Sequence, residues 1–169
     1  MKSLVIYFSR DGENYAVGNI SKGNSEVIAE YIQEFTNATL FKCEPLIPYS
    51  SEYKKCVLES IEKKKNNARP KLKKYLSSIA DYDVIYIGGP IYCGEYPYEI
   101  YSQLDLLDFK NKIIKPFTTH EGSKLGMVME VLKKKCDGAI IEDGLAIQGK
   151  NVYLKESKNQ VKEWVITDK

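Results

Sequence analysis

The residues with the clearest capacity for chemistry lie in a polar turn near the amino terminus: Ser9, Gly23, Asn24 and Ser25. They precede a helical pattern, and the first backbone N–H groups of a helix have no partner inside it. The helix dipole favours an anion at that end. Gly23 allows a ligand close to the backbone, and Asn24 or Ser25 can cap the helix. This suits a terminal phosphate monoester, and an ordinary βα turn with a good cap is the alternative that this stretch leaves open.

Two basic residues border the same turn. Arg10 and Lys22 could each pair with a phosphate or stay solvated loop charges. Neither the Gly-x-Gly-x-x-Gly fingerprint nor a P-loop is present. The connection over residues 10–22 is longer than the usual two to six residues of a βα turn. Within it, Tyr15 either folds over a ligand or anchors an insertion.

Two further loops follow predicted strands, at residues 88–96 and 118–123. Both are rich in glycine and exposed backbone amides, and the first adds the aromatic residues Tyr92, Tyr96 and Tyr98. In an open parallel sheet, ligands bind beyond the carboxyl ends of the strands. A phosphate cradle on one loop and an aromatic platform on another fit a planar heterocycle with a phosphate tail.

The elements that must position these loops follow from apolar periodicity. Strands are predicted at residues 4–8, 39–43, 83–88, 112–118 and 139–147, the last with a break at Asp143 and Gly144. Pro116 indicates a bulge or a strand end, because it cannot donate to a ladder. Helices are predicted from residue 25, at residues 53–65, 98–107, 125–135 and 155–165, and in a short stretch through Leu72 and Leu76. This alternation predicts a parallel sheet in a three-layer α/β sandwich.

The predicted inward faces are those with apolar spacing. In the second helix they are Val57, Leu58 and Ile61, and in the last helix Val161 and Trp164. The lysines at residues 63–65 suit the carboxyl end of a helix, and this interpretation is favoured over a nucleic-acid patch.

Length and composition limit the function classes. The 169 residues predict a single domain over residues 1–169. The 25 basic and 23 acidic residues give no general argument for nucleic acid or membrane as a partner. No apolar run reaches the roughly 18 residues of a membrane span, and no leader pattern opens the chain, which predicts a cytoplasmic protein. The four scattered cysteines show no zinc or dithiol spacing and are expected to be free thiols.

Taken in order, four motifs resemble the flavodoxin-like family, and specifically a bacterial branch with a lengthened phosphate loop. They are Tyr-Phe-Ser-Arg-x-Gly-x-Asn-Tyr at residues 7–15, Lys-Gly-Asn-Ser-Glu-Val at 22–27, Gly-Pro-Ile-Tyr-Cys-Gly at 89–94 and Thr-Thr-His-Glu-Gly-Ser at 118–123. The resemblance implies an α/β/α sandwich with a five-stranded parallel sheet of order 2-1-3-4-5, of which flavodoxin is the standard example. It also implies FMN as the cofactor.

The predicted cofactor-binding set contains sixteen residues: Arg10 and Lys22, included for their charge, and fourteen residues to which the resemblance assigns roles. The phosphate would be held by Ser9, Gly23, Asn24 and Ser25. One side of the isoalloxazine ring would be flanked by Pro90, Ile91, Tyr92, Cys93 and Gly94. The other side would be closed by Thr119, His120, Glu121, Gly122 and Ser123.

Two departures from the family pattern are visible. Ile91, Tyr92 and Cys93 stand where relatives tend to have tryptophan-like aromatic residues, and of these Tyr92 can stack on a ring whereas Cys93 cannot. Electron-carrying flavodoxins are typically strongly acidic, which steers them to basic partners, whereas this chain is nearly neutral.

Two side chains have open roles. His120, the only histidine, could act as an acid–base group near neutral pH or as a hydrogen-bond donor at the pyrimidine edge of the flavin, and the donor role is favoured. Cys93 could be a redox-sensitive thiol or a small residue packed beside the ring, and packing is favoured.

Three functions follow. The first is an FMN-binding electron carrier that serves redox partner proteins, with neither nucleic acid nor membrane involved. The second is an FMN-dependent NAD(P)H:acceptor oxidoreductase of quinone type, against which the missing dinucleotide fingerprint counts mildly. The third is a flavin-free interaction module on the same fold. The partners and the oligomeric state do not follow from the sequence.

Overall fold

A parallel sheet forms the centre of the molecule in the computed structural model, which describes residues 1–167. Its strands are β1 (Ser3–Tyr7), β4 (Thr39–Lys42), β5 (Val84–Pro90), β6 (Ile113–His120), β7 (Ile140–Ile141) and β8 (Leu145–Gln148). The order across the sheet is β4, β1, β5, β6 and then β7 with β8, all in parallel. Counting β7 and β8 as one broken strand, this confirms the order 2-1-3-4-5.

The break in the fifth strand falls where the sequence predicts it. β6 pairs with β7 up to Ile114 and with β8 from Phe117 onward. Pro116 therefore stands at the gap between the two pieces, where its missing N–H costs no ladder bond. The predicted bulge or strand end at Pro116 is wrong: β6 continues to His120, and the interruption lies on its neighbour.

Four of the helices cover the two faces of the sheet. The helices α1 (Asn24–Thr36) and α5 (Lys155–Ile166) pack on one face, and α3 (Tyr98–Leu104) and α4 (Val128–Lys135) pack on the other. Because successive residues of a strand point to opposite faces, Leu4 and Ile6 enter one core and Val5 enters the other. This confirms the three-layer sandwich.

Several predicted boundaries shift. The helix expected at residues 98–107 ends at Leu104, and the one expected at 125–135 begins at Val128. The last helix is confirmed, with Val161 fully buried and Trp164 half-buried. The short helix through Leu72 and Leu76 is wrong. This stretch is extended, because Lys73 N–H donates to the carbonyl of Glu44 and the carbonyl of Lys71 accepts from Leu46.

The remaining helix, α2 (Tyr53–Lys65), has the predicted bounds, but of the three residues predicted to face inward only Val57 is partly buried. Leu58 and Ile61 are exposed, whereas Cys56 and Ser60 are buried. The extended stretch that carries Leu72 and Ile79 fills the apolar core instead. α2 is therefore not needed to fill the apolar core. Its buried face instead covers the polar cleft at the carboxyl end of the sheet.

The long connection between β1 and α1 is ordered. The strands β2 (Gly12–Asn14) and β3 (Gly18–Ile20) form an antiparallel hairpin. Asn14 donates its side-chain amide to the carbonyls of Arg10 and Gly12 (2.9 and 3.3 Å), which fixes the base of this hairpin.

Within residues 1–167, no helix has the length and apolar character needed to cross a membrane. The four cysteines are free thiols, as predicted, and three of them are buried.

Candidate functional site

A cleft of about 430 Å³ opens beyond the carboxyl ends of the central strands. Five segments line it: the hairpin, the start of α1, the inner face of α2, and the loops after β5 and β6. The lining residues are Arg10, Asn14, Tyr15, Asn24, Ser25, Tyr53, Cys56, Val57, Ser60, 90–93, 119–123 and Gly149. The cleft lies where an open parallel sheet places its ligands.

Twelve of the sixteen predicted cofactor-binding residues line this cleft. The other four, which do not line it, are Ser9, Lys22, Gly23 and Gly94. Each of the four makes a contact elsewhere. Ser9 and Gly23 lie at the start of α1, and Lys22 forms a salt bridge outside the cleft. The carbonyl of Gly94 accepts a hydrogen bond from Met127 N–H (2.7 Å) at the start of α4.

The start of α1 is capped from outside the helix. Gly23 is the N-cap residue, so the predicted capping by Asn24 or Ser25 is wrong. Instead, Ser9 Oγ accepts a hydrogen bond from the backbone N–H of Glu26 at 3.0 Å. A Cβ at Gly23 would collide with Ser9 Oγ and lie within 2.8 Å of the Arg10 backbone. Gly23 therefore permits the approach of this neighbouring chain segment.

Two N–H groups at this helix end point to no acceptor. Among residues 1–167, the backbone N–H groups of Asn24 and Ser25 make no hydrogen bond, whereas that of Glu26 reaches Ser9. Ser25 Oγ and Thr119 Oγ1 lie 2.7 Å apart, and both residues are buried. The cleft therefore has a floor of two hydroxyls beside two free N–H groups, a donor set suited to an anion.

Arg10 joins the hairpin to α2. Its Nε donates to the carbonyl of Glu13 (3.0 Å) and its Nη2 to the carbonyl of Ser51 (3.2 Å). Among the described residues, Nη1 has no acceptor, which leaves guanidinium donors available at the cleft.

Lys22 lies elsewhere. It forms a salt bridge with Glu30 at 2.7 Å on the outside of α1, and this hydrogen bond raises the pKa of Lys22. Of the two basic residues near the turn, Arg10 is thus the one at the cleft.

The loop after β5 contains a tight turn. Cys93 and Gly94 both have positive φ (54° and 87°). Tyr92 and Glu95 exchange backbone hydrogen bonds across the turn at 2.7 and 3.3 Å. The carbonyl of Cys93 accepts from Lys64 Nζ, and its Sγ lies 3.9 Å from Ser60 Oγ. The turn and α2 thus hold each other in place along one wall of the cleft.

Tyr92 is held by its neighbours rather than free to stack. Its ring packs edge-to-face on Phe8 and Tyr49, with centroids 5.8 and 5.7 Å away. Within the described chain its buried hydroxyl has no hydrogen-bond partner. Burial, with the Cys56 sulfur as the next largest influence, raises the pKa of Tyr92.

The other aromatic residues of this loop do not reach the cleft. Tyr96 is fully buried, and its hydroxyl lies within hydrogen-bond distance of the carbonyls of Ile87 (2.8 Å) and Phe117 (2.6 Å). Tyr98 packs on Tyr101 with centroids 4.9 Å apart. Of the predicted aromatic platform, Tyr92 lines the cleft, whereas Tyr96 and Tyr98 do not.

Two other tyrosines supply the aromatic wall. Tyr15, at the tip of the hairpin, stacks on Tyr53 with centroids 6.1 Å apart and an interplanar angle of 27°. Tyr15 is 63% exposed and lines the cleft, so of its two predicted roles the one over the ligand site agrees with its position. Sequence reasoning missed Tyr53, Cys56, Val57 and Ser60. Val57 was predicted to face inward, but as part of the apolar core with Leu58 and Ile61 and not as a residue of the cleft. The helical spacing of Tyr53, Cys56, Val57 and Ser60 was the signal that could have identified the cleft face.

The loop after β6 carries the histidine. His120 Nδ1 accepts a hydrogen bond from the backbone N–H of Gly122 at 2.9 Å. Burial lowers the pKa of His120, Glu121 opposes this, and Lys124 adds to it. The imidazole is therefore neutral near pH 7 with its proton on Nε2, so it is a donor toward the cleft.

Glu121 is held by the segment after β8. Its Oε1 accepts from the backbone N–H of Lys150 (2.8 Å) and its Oε2 from Gln148 Nε2 (3.3 Å). A Cβ at Gly149 would collide with both Glu121 and Asn24. Gly149, which sequence reasoning missed, thus lets the side chains of Glu121 and Asn24 lie close to this segment, and a larger residue would require them to shift.

Comparison with known proteins adds three findings. A family model described as flavodoxin matches residues 2–168. Two solved structures assigned as flavoproteins are each 26% identical: one from Bacteroides uniformis (TM-score 0.75, 97% of each chain covered) and one from Bacteroides eggerthii (TM-score 0.76, 99% of each). A flavoprotein from Lactobacillus acidophilus, solved in complex with FMN, is 22% identical (TM-score 0.65, 89% of this chain and 95% of that one). No curated protein sequence matches significantly.

Proposed function

The chain belongs to the flavodoxin family, and from this premise we propose that it binds FMN in the cleft and carries electrons between redox partner proteins. One observation carries the proposal. The amino terminus of α1 offers two free backbone N–H groups and the Ser25–Thr119 hydroxyl pair at the carboxyl edge of the sheet. Two solved relatives are assigned as flavoproteins, and a third flavoprotein was solved in complex with FMN.

The donor set fits the phosphate end of FMN. A phosphate monoester is a dianion whose oxygens accept several hydrogen bonds. Here it would meet the N–H groups of Asn24 and Ser25, the hydroxyls of Ser25 and Thr119, and a free donor of Arg10. Glu26, in the first turn of α1, accepts from Tyr7 Oη (3.0 Å) and pairs with Lys42 (3.5 Å), which limits the repulsion of its carboxylate toward the phosphate.

The remaining lining fits a planar ring. Tyr53 and Val57 on α2, with Tyr15 on the hairpin, form an apolar wall, and residues 119–123 also line the cleft. His120, neutral with its proton on Nε2, would donate to a polar ring edge. These residues bind, orient and shield the ring, and FMN supplies the one- and two-electron redox chemistry when it is bound.

The arrangement favours an electron carrier over an NAD(P)H:acceptor oxidoreductase. α2 and the hairpin tip lie along the aromatic end of the cleft, and Tyr15 stacks directly on Tyr53. A nicotinamide that transfers hydride must lie against the ring, so these elements would have to move away. A carrier requires only that a docked protein comes close to the ring.

The decisive experiment is an absorption spectrum of the purified protein before and after incubation with excess FMN and desalting. We expect one retained FMN per chain, and NADPH oxidation with a quinone no faster than with free FMN. Rapid NADPH turnover would instead establish the oxidoreductase. A protein that stays colourless after reconstitution would overturn the proposal and favour the flavin-free module.

A further inference from the structure

The outward face of α2 carries an apolar stripe that no other part of the described chain covers. Leu58 and Ile61 are 65% and 49% exposed. Lys54 lies four residues before Leu58, and Lys65 lies four residues after Ile61. These spacings place the four side chains on one face of the helix. We call this set (Lys54, Leu58, Ile61 and Lys65) the α2 stripe.

Most of the α2 stripe points away from the cleft, and Ile61, four residues after the cleft-lining Val57, lies at the border between the two faces. The cleft-lining residues of α2 are Tyr53, Cys56, Val57 and Ser60. An α-helix with its side chains is about 10 Å across. A protein seated on the stripe would therefore stand about one helix diameter from the cleft.

Charge is distributed unevenly around this helix. Residues 53–77 contain nine basic and two acidic residues, whereas the rest of the chain contains sixteen basic and twenty-one acidic residues. Five of these nine basic residues pair with carboxylates in the folded chain, namely Lys55, Lys63, Lys64, Arg69 and Lys73. The basic excess on the outward face of α2 therefore comes from Lys54 and Lys65, and the exposed Glu62, four residues after Leu58, borders the same face. Within the described residues, neither Lys54 nor Lys65 has a carboxylate within salt-bridge distance.

The neighbouring lysines hold α2 in place. Lys63 Nζ lies 2.8 Å from the fully buried carboxylate of Glu99 and 3.6 Å from the centre of the Tyr49 ring. Lys64 Nζ lies 3.6 Å from the carboxylate of Glu95. Because Lys63 and Lys64 pair with these carboxylates, the prediction of a solvated lysine cluster at the end of this helix holds only for Lys65. The α2 stripe is therefore presented on an anchored helix.

We infer that the α2 stripe is the docking surface for an acidic electron-transfer protein, an inference that rests on the proposed function. An apolar centre with a charged rim is the anatomy of a protein interface, in which rim charges steer the encounter. Nucleic acid would use the lysines but not Leu58 and Ile61, because its affinity depends on phosphate contacts. The basic sign of this surface matches an acidic partner, the reverse of the usual flavodoxin arrangement.

The test uses a plant-type two-iron ferredoxin as an acidic probe. Its affinity is measured by calorimetric titration at low and high salt, with and without FMN, and the rate of FMN reduction by the reduced probe is measured in parallel. The variants are Lys54→Glu/Lys65→Glu and Leu58→Ser/Ile61→Ser. The matched control is Lys110→Glu/Lys134→Glu, which makes the same charge change at exposed lysines outside α2 and the cleft.

We expect salt-sensitive binding that falls about tenfold in each α2 variant and less than twofold in the control. An equal loss in the control would overturn the inference, because it would show a net-charge effect only. Failure of the probe to bind would also overturn it, as would a duplex oligonucleotide bound in its place, or a dimer in sedimentation that Leu58→Ser/Ile61→Ser dissolves. If the protein retains no FMN but still binds the probe through α2, the docking surface is supported and only the proposed function is refuted.

Discussion

The hydroxyls of Ser25 and Thr119 lie 2.7 Å apart although 94 residues separate them along the chain. This contact joins the first turn of α1 to the carboxyl end of β6 and places both hydroxyls on the floor of the cleft. Two neutral hydroxyls this close share one hydrogen bond. Each keeps a further donor or acceptor position for a bound group.

Removing Ser25 Oγ should weaken FMN more than riboflavin, because riboflavin lacks the phosphate. A hydrogen bond to a charged group contributes about 1.5–3 kcal/mol, so Ser25→Ala should weaken FMN roughly ten- to a hundredfold and leave riboflavin nearly unchanged. Fluorescence titrations with both flavins measure this.

Ser157→Ala is the matched control, since Ser157 is also buried in the first turn of a helix but does not line the cleft. Equal losses for FMN and riboflavin in Ser25→Ala would contradict the phosphate assignment.

Two buried tyrosines should respond oppositely to loss of their hydroxyl. Tyr92 Oη has no hydrogen-bond partner within residues 1–167, so Tyr92→Phe removes an unsatisfied polar group and should be neutral or stabilising by up to about 1 kcal/mol. Tyr96 Oη reaches two carbonyls, so Tyr96→Phe should cost about 1–2 kcal/mol. Urea unfolding of the two variants side by side measures the difference. A marked destabilisation by Tyr92→Phe would reveal a partner for its hydroxyl.

The pKa of His120 should lie below its ordinary value of about 6.5, because burial disfavours the imidazolium. Since the folded-state pKa is lowered, the unfolded chain binds the proton more readily. The associated stability is therefore complete above about pH 6.5 and is lost as the pH falls through the folded-state pKa. NMR titration of the imidazole signals measures the pKa directly.

Substitution of the two charged neighbours of His120 tests the direction of its pKa shift. Glu121→Gln should lower the pKa further, because it removes the charge that raises it, and Lys124→Gln should raise it. A pKa above 6.5 in the unsubstituted protein would refute the neutral, Nε2-protonated donor.

Cys93 should be the fastest of the four thiols to react with a disulfide reagent. It is half-buried in the cleft, whereas burial raises the pKa of Cys136 to about 12 and raises that of Cys43 and Cys56 as well. A higher pKa leaves less thiolate to react. Rapid labelling should therefore disappear in Cys93→Ser and slow at least tenfold with FMN bound. Fast labelling that persists in Cys93→Ser would place the reactive thiol elsewhere.

Much of the fold could be predicted because local pattern and architecture agree. The apolar run in β5 predicts a central strand, and β5 is buried on both faces. The loop that follows β5 lies at the carboxyl edge of the sheet because it continues from that end of the strand. The alternation of strands and helices then implies parallel order and a three-layer arrangement. The loops after β1, β5 and β6 therefore had to meet at one edge.

The details that the sequence could not provide depend on long-range contacts. Periodicity shows that α2 has an apolar stripe, but not that an extended segment with Leu72 occupies the core in its place. The cap of α1 comes from Ser9, 17 residues before the N–H that it accepts, beyond the reach of local capping rules.

The class of fold, the edge of the sheet at which the cleft opens and the residue types that gather there all follow from local patterns in the sequence. Long-range packing sets which side chains line that cleft: Tyr15 and Tyr53 line it, whereas Tyr96 is buried in the core. The physical reason is that hydrophobic burial is non-directional. An apolar or aromatic residue is driven out of water by its own chemistry, but the surface that receives it is set by the packing of the whole chain.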